Sequence, residues 1–362
     1  MQAEKKKKTS SKARKIAVIV AASLVGISVA SILSTICVYD SFFERYERPD
    51  YDLYPGLYSY ERVRELLPRQ EFTISSGNNK LATYYYKREN ARALVVLAHG
   101  FHAGADDYLP LILALWERDY AVLTYDVTGV YSSEGDSVVG MCQSLIDLDC
   151  VLNYAKVNAP FDAMEKVVIG HSWGGYAAAS VLALHSEVRA AVLLAPMYSG
   201  PQMIFETAEQ YAGKMAYTAK PILDTYQKVL FGDYTKYNGV MGINATDAPV
   251  LIAQGVDDTN IRADRQSITA HMDEITNPNV TLYWGYGSQG SHTGIWHSAD
   301  AEEYVRAVES MLKKSELERG RTLTDEEKKE IYATVDHARY SAVNEELLDL
   351  MIKTFEQGLS NK

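Results

Sequence analysis

Val167-Val-Ile-Gly170-His-Ser172-Trp-Gly174-Gly175 is the stretch that decides the fold. A β-branched apolar run leads into Gly170-x-Ser172-x-Gly174, and small residues from Tyr176 to Leu184 leave it in a helical pattern. The reading is strand, abrupt turn and helix, with one hydroxyl at the apex. A turn that sharp strains its central residue, so the positions two before and two after must lack bulk, and both are glycine. The strain lifts Ser172 Oγ clear of the sheet. A histidine can reach it there, and N–H groups of the next helix can face a developing oxyanion. Ser172 is therefore the expected nucleophile, and the alternative is a tight turn without chemistry.

Outward from this turn the elements alternate. Residues 71–74 and 81–86 flank Gly77-Asn78-Asn79 and predict a hairpin. The apolar run 93–98 predicts a buried strand, followed by a helix near 105–118. A strand is expected at 120–125, and a helix near 140–157 after a Gly/Ser-rich loop. Beyond Ser172, strands are expected at 190–195, 249–253 and 280–284, with a helix near 299–314 closing the series. Apolar strands alternating with helices imply an α/β domain over 71–314, a mostly parallel sheet covered by helices on both faces.

Two pieces depart from the alternation. Residues 198–248 separate two core strands by too much chain for a bare loop, so an inserted helical cap is expected. Tyr198, Met203, Phe205, Tyr211, Met215, Tyr217 and Tyr226 recur through it at helix-like spacing. Residues 315–362 predict a charged helical extension. Thr324-Asp-Glu-Glu327 reads as a capping box. Leu347, Leu348, Met351, Ile352 and Phe355 make an apolar stripe expected to dock on the core.

A serine hydroxyl is a weak nucleophile at neutral pH, so it needs a base, and the base needs an orienting group. In an open parallel sheet such partners gather in loops at the carboxyl ends of strands. The 249–253 strand runs into Gln254-Gly-Val-Asp257-Asp258, and the 280–284 strand into a Gly-rich loop holding His292. The chain order Ser172, Asp258, His292 suits this architecture. Asp258 is favoured as the acid over Asp257, since adjacent carboxylates on a loop diverge. His292 is favoured as the base over His297, which lies nearer the final helix. Two N–H donors are expected for an oxyanion: Trp173, directly after the nucleophile, and Phe101, in the loop His99-Gly100-Phe101 after the 93–98 strand. His99 is expected to brace that loop and His171 to pack, while His102 is a candidate for touching substrate.

His99-Gly100-Phe101, Gly170-His-Ser-Trp-Gly174, the Asp258 loop and His292 together resemble the α/β-hydrolase superfamily over residues 70–314. Asp126-Val-Thr-Gly129 to Ser132-Ser-Glu-Gly135 is similar to the Asp-x-Arg-Gly-x-Gly-x-Ser-x-Gly loop of its serine aminopeptidase-like and lysophospholipase-like branch, in membrane-anchored bacterial members. Thr128 stands where that branch usually has a basic residue, and Tyr131 where it often has glycine. The resemblance implies two-step acyl transfer on a small-molecule ester or peptide, with ester hydrolysis leading. A peptidase would need a site for a free amine, for which Glu206, Glu209 and Asp224 are candidates. A silent surface protein that binds a partner is the reading from another class.

The N-terminus adds a location. Residues 16–39 carry no charge, longer than the roughly 20 residues that span a bilayer and than the apolar core of a cleaved signal peptide. An uncleaved signal anchor is expected. In residues 1–15, seven cations against Glu4 leave a net +6, which predicts a cytoplasmic tail and an extracellular catalytic domain on a single-pass cell-membrane protein. Residues 40–70 read as a Tyr-rich linker, and Tyr39, Phe42, Phe43, Tyr46 and Tyr51 would suit the interfacial aromatic belt. With −11 in total and +6 in the tail, the remainder carries −17, which excludes nucleic acid as a natural partner. Cys142 and Cys150 lie eight apart on one predicted helix, about 12 Å by helical rise, too far to bridge. No CxxC, HExxH or EF-hand pattern occurs, so neither metal nor cofactor is expected.

Overall fold

The strands of the core are short and wholly apolar because both their faces are covered. In the computed structural model, which describes residues 2–56 and 59–360, β3 (Leu94–Ala98) and β4 (Ala121–Tyr125) are buried at every position. Leu94, Val96 and Ala98 point into one hydrophobic cluster, and Val95 and Leu97 into another on the opposite face, as the two-residue period of a strand requires. With β1 (Gln70–Ser76), β2 (Asn79–Tyr86), β5 (Lys166–His171), β6 (Val188–Leu194), β7 (Val250–Gly255) and β8 (Val280–Gly285) they form one eight-stranded sheet of order β1-β2-β4-β3-β5-β6-β7-β8. The β1–β2 hairpin is antiparallel and joins β4 antiparallel, whereas β4, β3 and β5 to β8 run parallel. The order reverses at β3, and β5 lies centrally beside it.

Helices Gln143–Val157 and Trp173–Ser180 feed the first cluster, and Leu109–Glu117 and Glu345–Ser360 the second. The apolar stripe of the last helix is docked: Leu347, Leu348, Met351 and Phe355 are each fully buried. Between β6 and β7 the chain forms helices Gly200–Ala212, Ala216–Phe231 and Gly239–Asn244. Thr324 caps helix Asp325–Tyr332 reciprocally with Glu327 (Glu327 N to Thr324 Oγ1 3.3 Å, Thr324 N to Glu327 Oε2 2.9 Å).

The N-terminal region differs from its reading as a linker. Helix Gln2–Ser41 carries the apolar run, with Ile16, Ile19, Leu24, Val25 and Ile27 all exposed. At its end the chain does not swing free. Tyr39 and Phe43 are 3% and 2% exposed in the first cluster, and Tyr51 is also buried, so these rings pack on the domain rather than face an interface. Phe42 alone of the five keeps a largely exposed ring. The segment 43–56 is laced to the loop after β4: Tyr46 N donates to Gly129 O at 2.9 Å, Tyr131 N to Tyr46 O at 2.8 Å, and Val138 N to Phe43 O at 2.9 Å. Composition alone cannot separate a tyrosine that faces lipid from one that faces protein, since both surroundings are apolar with a polar edge. Residue 1 of the basic tail, residues 57 and 58 of the 40–70 stretch, and residues 361 and 362 of the extension lie outside the described residues.

Candidate active site

Ser172 joins β5 to helix Trp173–Ser180 with φ 56° and ψ −112°, a conformation L-residues rarely adopt. Its N–H is tied to Leu194 O at 2.7 Å. The flanking glycines are required by space: a Cβ on Gly170 would strike the Gly174 carbonyl, and one on Gly174 the Ala98 carbonyl. The strand, the turn and the β3 end are thus packed backbone to backbone, which holds the hydroxyl at the carboxyl edge of the sheet.

His292 and Asp258 arrive there from the loops after β8 and β7. His292 Nδ1 lies 2.7 Å from Asp258 Oδ2. Asp258 is itself fixed: its Oδ1 accepts from Asn260 N and Ile261 N, both at 2.9 Å, and its Oδ2 from Gln254 Nε2 at 3.2 Å. Asp257, by contrast, is exposed, and its side chain makes no hydrogen bond among the described residues. His297 is held by Glu302 through Nδ1 at 2.9 Å. Ser172 and His292 line one cavity of about 910 Å³, with His297, His102 and Phe101 also on its wall. Phe101 N and Trp173 N have no acceptor among the described residues, and the two rings meet edge to face at 5.3 Å.

Two further histidines are buried and neutral. Burial lowers the pKa of His99 to about 4. Its Nδ1–H faces Gly100 O at 2.8 Å, and its Nε2 accepts from Val127 N at 3.0 Å. Burial likewise lowers the pKa of His171 to about 3, helped by the nearby His292. Around it runs a chain of hydrogen bonds that the sequence did not disclose. Gly100 N donates to Tyr108 Oη at 2.9 Å, Tyr108 Oη lies 2.7 Å from His171 Nδ1, and His171 Nε2 lies 3.1 Å from His292 O. The chain connects the loop of Phe101 to the loop of His292. No spacing rule announces Tyr108; its nearest signal is its place ten residues after the 93–98 strand.

The loop 126–135 is built on two buried carboxylates. Asp126 accepts from Ala105 N and Tyr84 Oη, each at 2.9 Å. Asp147 accepts from Ser76 Oγ at 2.6 Å, Thr128 N at 2.7 Å and Gln143 Nε2 at 2.8 Å. Thr128 is therefore a ligand of Asp147. Tyr131 has φ 43°, so the residue sits in glycine's region of conformational space, and its hydroxyl reaches Asp107 Oδ2 at 2.9 Å.

The inserted helices do not reach the Ser172 cavity: no residue of 198–248 lines it. They enclose a second cavity of about 540 Å³ that holds Glu206, Glu209 and Asp224. These acids are paired, Glu206 and Glu209 with Arg265 and Asp224 with Lys220. The lining of the Ser172 cavity therefore comes from outside the cap. Among the described residues no cluster of three or more His, Cys, Asp or Glu is disposed to hold a metal, and Cys37, Cys142 and Cys150 are free thiols.

The family model for serine aminopeptidase, S33, matches residues 89–250. No curated protein sequence matches the chain significantly. Among solved structures, an esterase of Pyrococcus furiosus, Pf2001, is 20% identical, covers 75% of this chain and 98% of its own, and superposes with a TM-score of 0.53. A second crystal form of it gives 21% identity, 72% and 96% coverage and a TM-score of 0.51. An acylaminoacyl peptidase of Pyrococcus horikoshii is more distant, 16% identical over 64% of this chain and 39% of its own, and its TM-score of 0.47 carries no weight. At such identities the likeness speaks for the fold. The eight-stranded sheet, the strained serine turn and the likeness to the Pf2001 esterase show the α/β-hydrolase fold, and residues 89–250 are similar to the serine aminopeptidase family.

Proposed function

We propose that the protein is a serine hydrolase that cleaves carboxylic esters by two-step acyl transfer. One observation carries the reading: a strained, glycine-flanked serine shares a cavity with a histidine that is hydrogen-bonded at 2.7 Å to a buried aspartate. His292 takes the Ser172 proton as Oγ attacks the ester carbonyl. Phe101 N–H and Trp173 N–H receive the oxyanion, and His292 protonates the leaving alcohol. Water, deprotonated by the same histidine, then attacks the acyl-enzyme. Asp258 fixes the histidine tautomer and stabilises the imidazolium. A peptidase would use the same machinery, but Glu206, Glu209 and Asp224, the acids expected to bind its amine, are ion-paired and away from the cavity, so the cap gives that reading no support and ester hydrolysis stays the leading one. In this reading residues 16–39 anchor the chain, its N-terminus lies in the cytoplasm, and the catalytic domain faces outward.

Labelling with a fluorophosphonate tests the enzyme reading. Wild type should label and Ser172→Ala should not; equal labelling of both, or none of wild type, would return the chain to the non-catalytic class. A panel of esters of graded acyl length beside aminoacyl amides then separates esterase from peptidase.

A further inference from the structure

The segment that follows the apolar helix supplies six residues to the wall of the Ser172 cavity: Arg45, Tyr46, Glu47, Pro49, Tyr54 and Gly56. It is held there by its own chemistry. Arg45 donates to the carbonyls of Tyr131, Ser133 (2.9 Å) and Gly135 (2.8 Å), and Arg48 pairs with buried Asp106. Tyr46 stands edge-on to Phe101 at 5.5 Å and to His102 at 4.4 Å, so it braces the loop whose amide is the proposed oxyanion donor. Phe43 braces Phe101 from another side at 5.9 Å. Among the described residues the Tyr46 hydroxyl has no partner, so the ring rather than the hydroxyl makes these contacts.

The charge of the wall also selects. Arg45, the only Lys or Arg among the described lining residues, is consumed by those carbonyls and by Glu47 at 3.0 Å, and among the described residues Asp107 lines the cavity with no cation beside it. An anionic substrate group would meet carboxylates and no free cation. An uncharged one would meet the rings of Tyr46, Tyr54, Phe101 and Trp296.

We propose that residues 43–56 form part of the substrate site itself, with Tyr46 positioning the oxyanion loop and Tyr46 and Tyr54 receiving an uncharged apolar group of the substrate. The proposal rests on the serine-hydrolase reading above and goes further by placing specificity in the segment beside the anchor.

The test uses full-length protein in lipid nanodiscs, with p-nitrophenyl acetate, octanoate and hemisuccinate as substrates. Tyr46→Ala should lower kcat on the acetate by about tenfold or more with little change in KM, and Tyr46→Phe should restore most of it. Tyr54→Ala should shift the octanoate-to-acetate ratio of kcat/KM by about fivefold or more, and the hemisuccinate should be the poorest substrate of wild type. Phe205→Ala, in the cap, should leave that ratio alone. Wild-type kcat and ratio in both tyrosine variants, a ratio that moves with Phe205 instead, or preference for the hemisuccinate would overturn the proposal. Should Tyr46→Ala fail to fold, Tyr54, 51% exposed, still carries the test. A wild type that neither labels with fluorophosphonate nor cleaves any ester would instead sink the hydrolase reading, and this one with it.

Discussion

Asp257 and Asp258 stand side by side after β7, and the fold gives them unlike surroundings. Asp258 is buried, accepts two backbone N–H groups and reaches His292; Asp257 points to solvent. Asp258→Asn should therefore lower kcat by about a thousandfold or more, because the amide favours the wrong imidazole tautomer. Asp257→Asn should change it by less than about twofold, as surface substitutions do. Steady-state kinetics on a short ester decides, and the reverse order would reassign the acid. His171 makes a second prediction. Its pKa of about 3 keeps it neutral through the working range, so it loses no proton between pH 5 and 9. In His171→Gln the acid limb of the kcat/KM profile should keep its midpoint. kcat itself should fall by about tenfold, because the bridge from Gly100 through Tyr108 to the His292 loop is cut. An acid limb that moves would make His171 a titrating member of the site.

Elements follow their periodicity closely. The 93–98 run became β3, and the stripe in the last helix docked, since each apolar side chain there had one face to hide on. Phe355 is fully buried beside Tyr120, with ring centroids 5.5 Å apart. Phe355→Ala should cost about 3–5 kcal/mol in urea unfolding, and a loss under about 1 kcal/mol would mean that the helix is not anchored by this face. Other junctions between elements are polar. His185 Nε2 meets Asp149 at 2.7 Å and its Nδ1 meets Glu187 at 2.9 Å. Burial lowers its pKa, but the two carboxylates outweigh that and the net direction is upward. A group raised on folding contributes most below its unfolded value, near 6.5, and the contribution disappears as pH climbs through the folded value. The melting-temperature gap between wild type and His185→Gln should therefore be widest at about pH 6 and shrink toward pH 9. A gap that grows with pH would show that the histidine is stabilising as the neutral form.

For the whole molecule, the basic tail, the uncharged run and the domain are one continuous piece. Helix Gln2–Ser41 leads within four residues to Arg45 on the cavity wall, a span of at most about 14 Å of extended chain. If the run 16–39 crosses a bilayer, the cavity opens close to the membrane surface. Alkaline phosphatase fused to the C-terminus should then be active in a bacterial host, and a cytoplasmic reporter at the same point silent; the opposite result would invert the orientation.

The sequence by itself determined the fold class and the strand, tight turn and helix around Ser172, because these rest on local rules: strand period and glycine where a Cβ cannot fit. Tertiary structure alone decided that Tyr108 and His171 join the loops of Phe101 and His292, and that residues 43–56 rather than the cap wall the Ser172 cavity. Those outcomes depend on contacts between residues far apart in the chain, such as Tyr46 with Phe101 and Arg48 with Asp106. Neither periodicity nor spacing records such a contact, because its energy exists only once both segments have been brought to the same edge of the sheet.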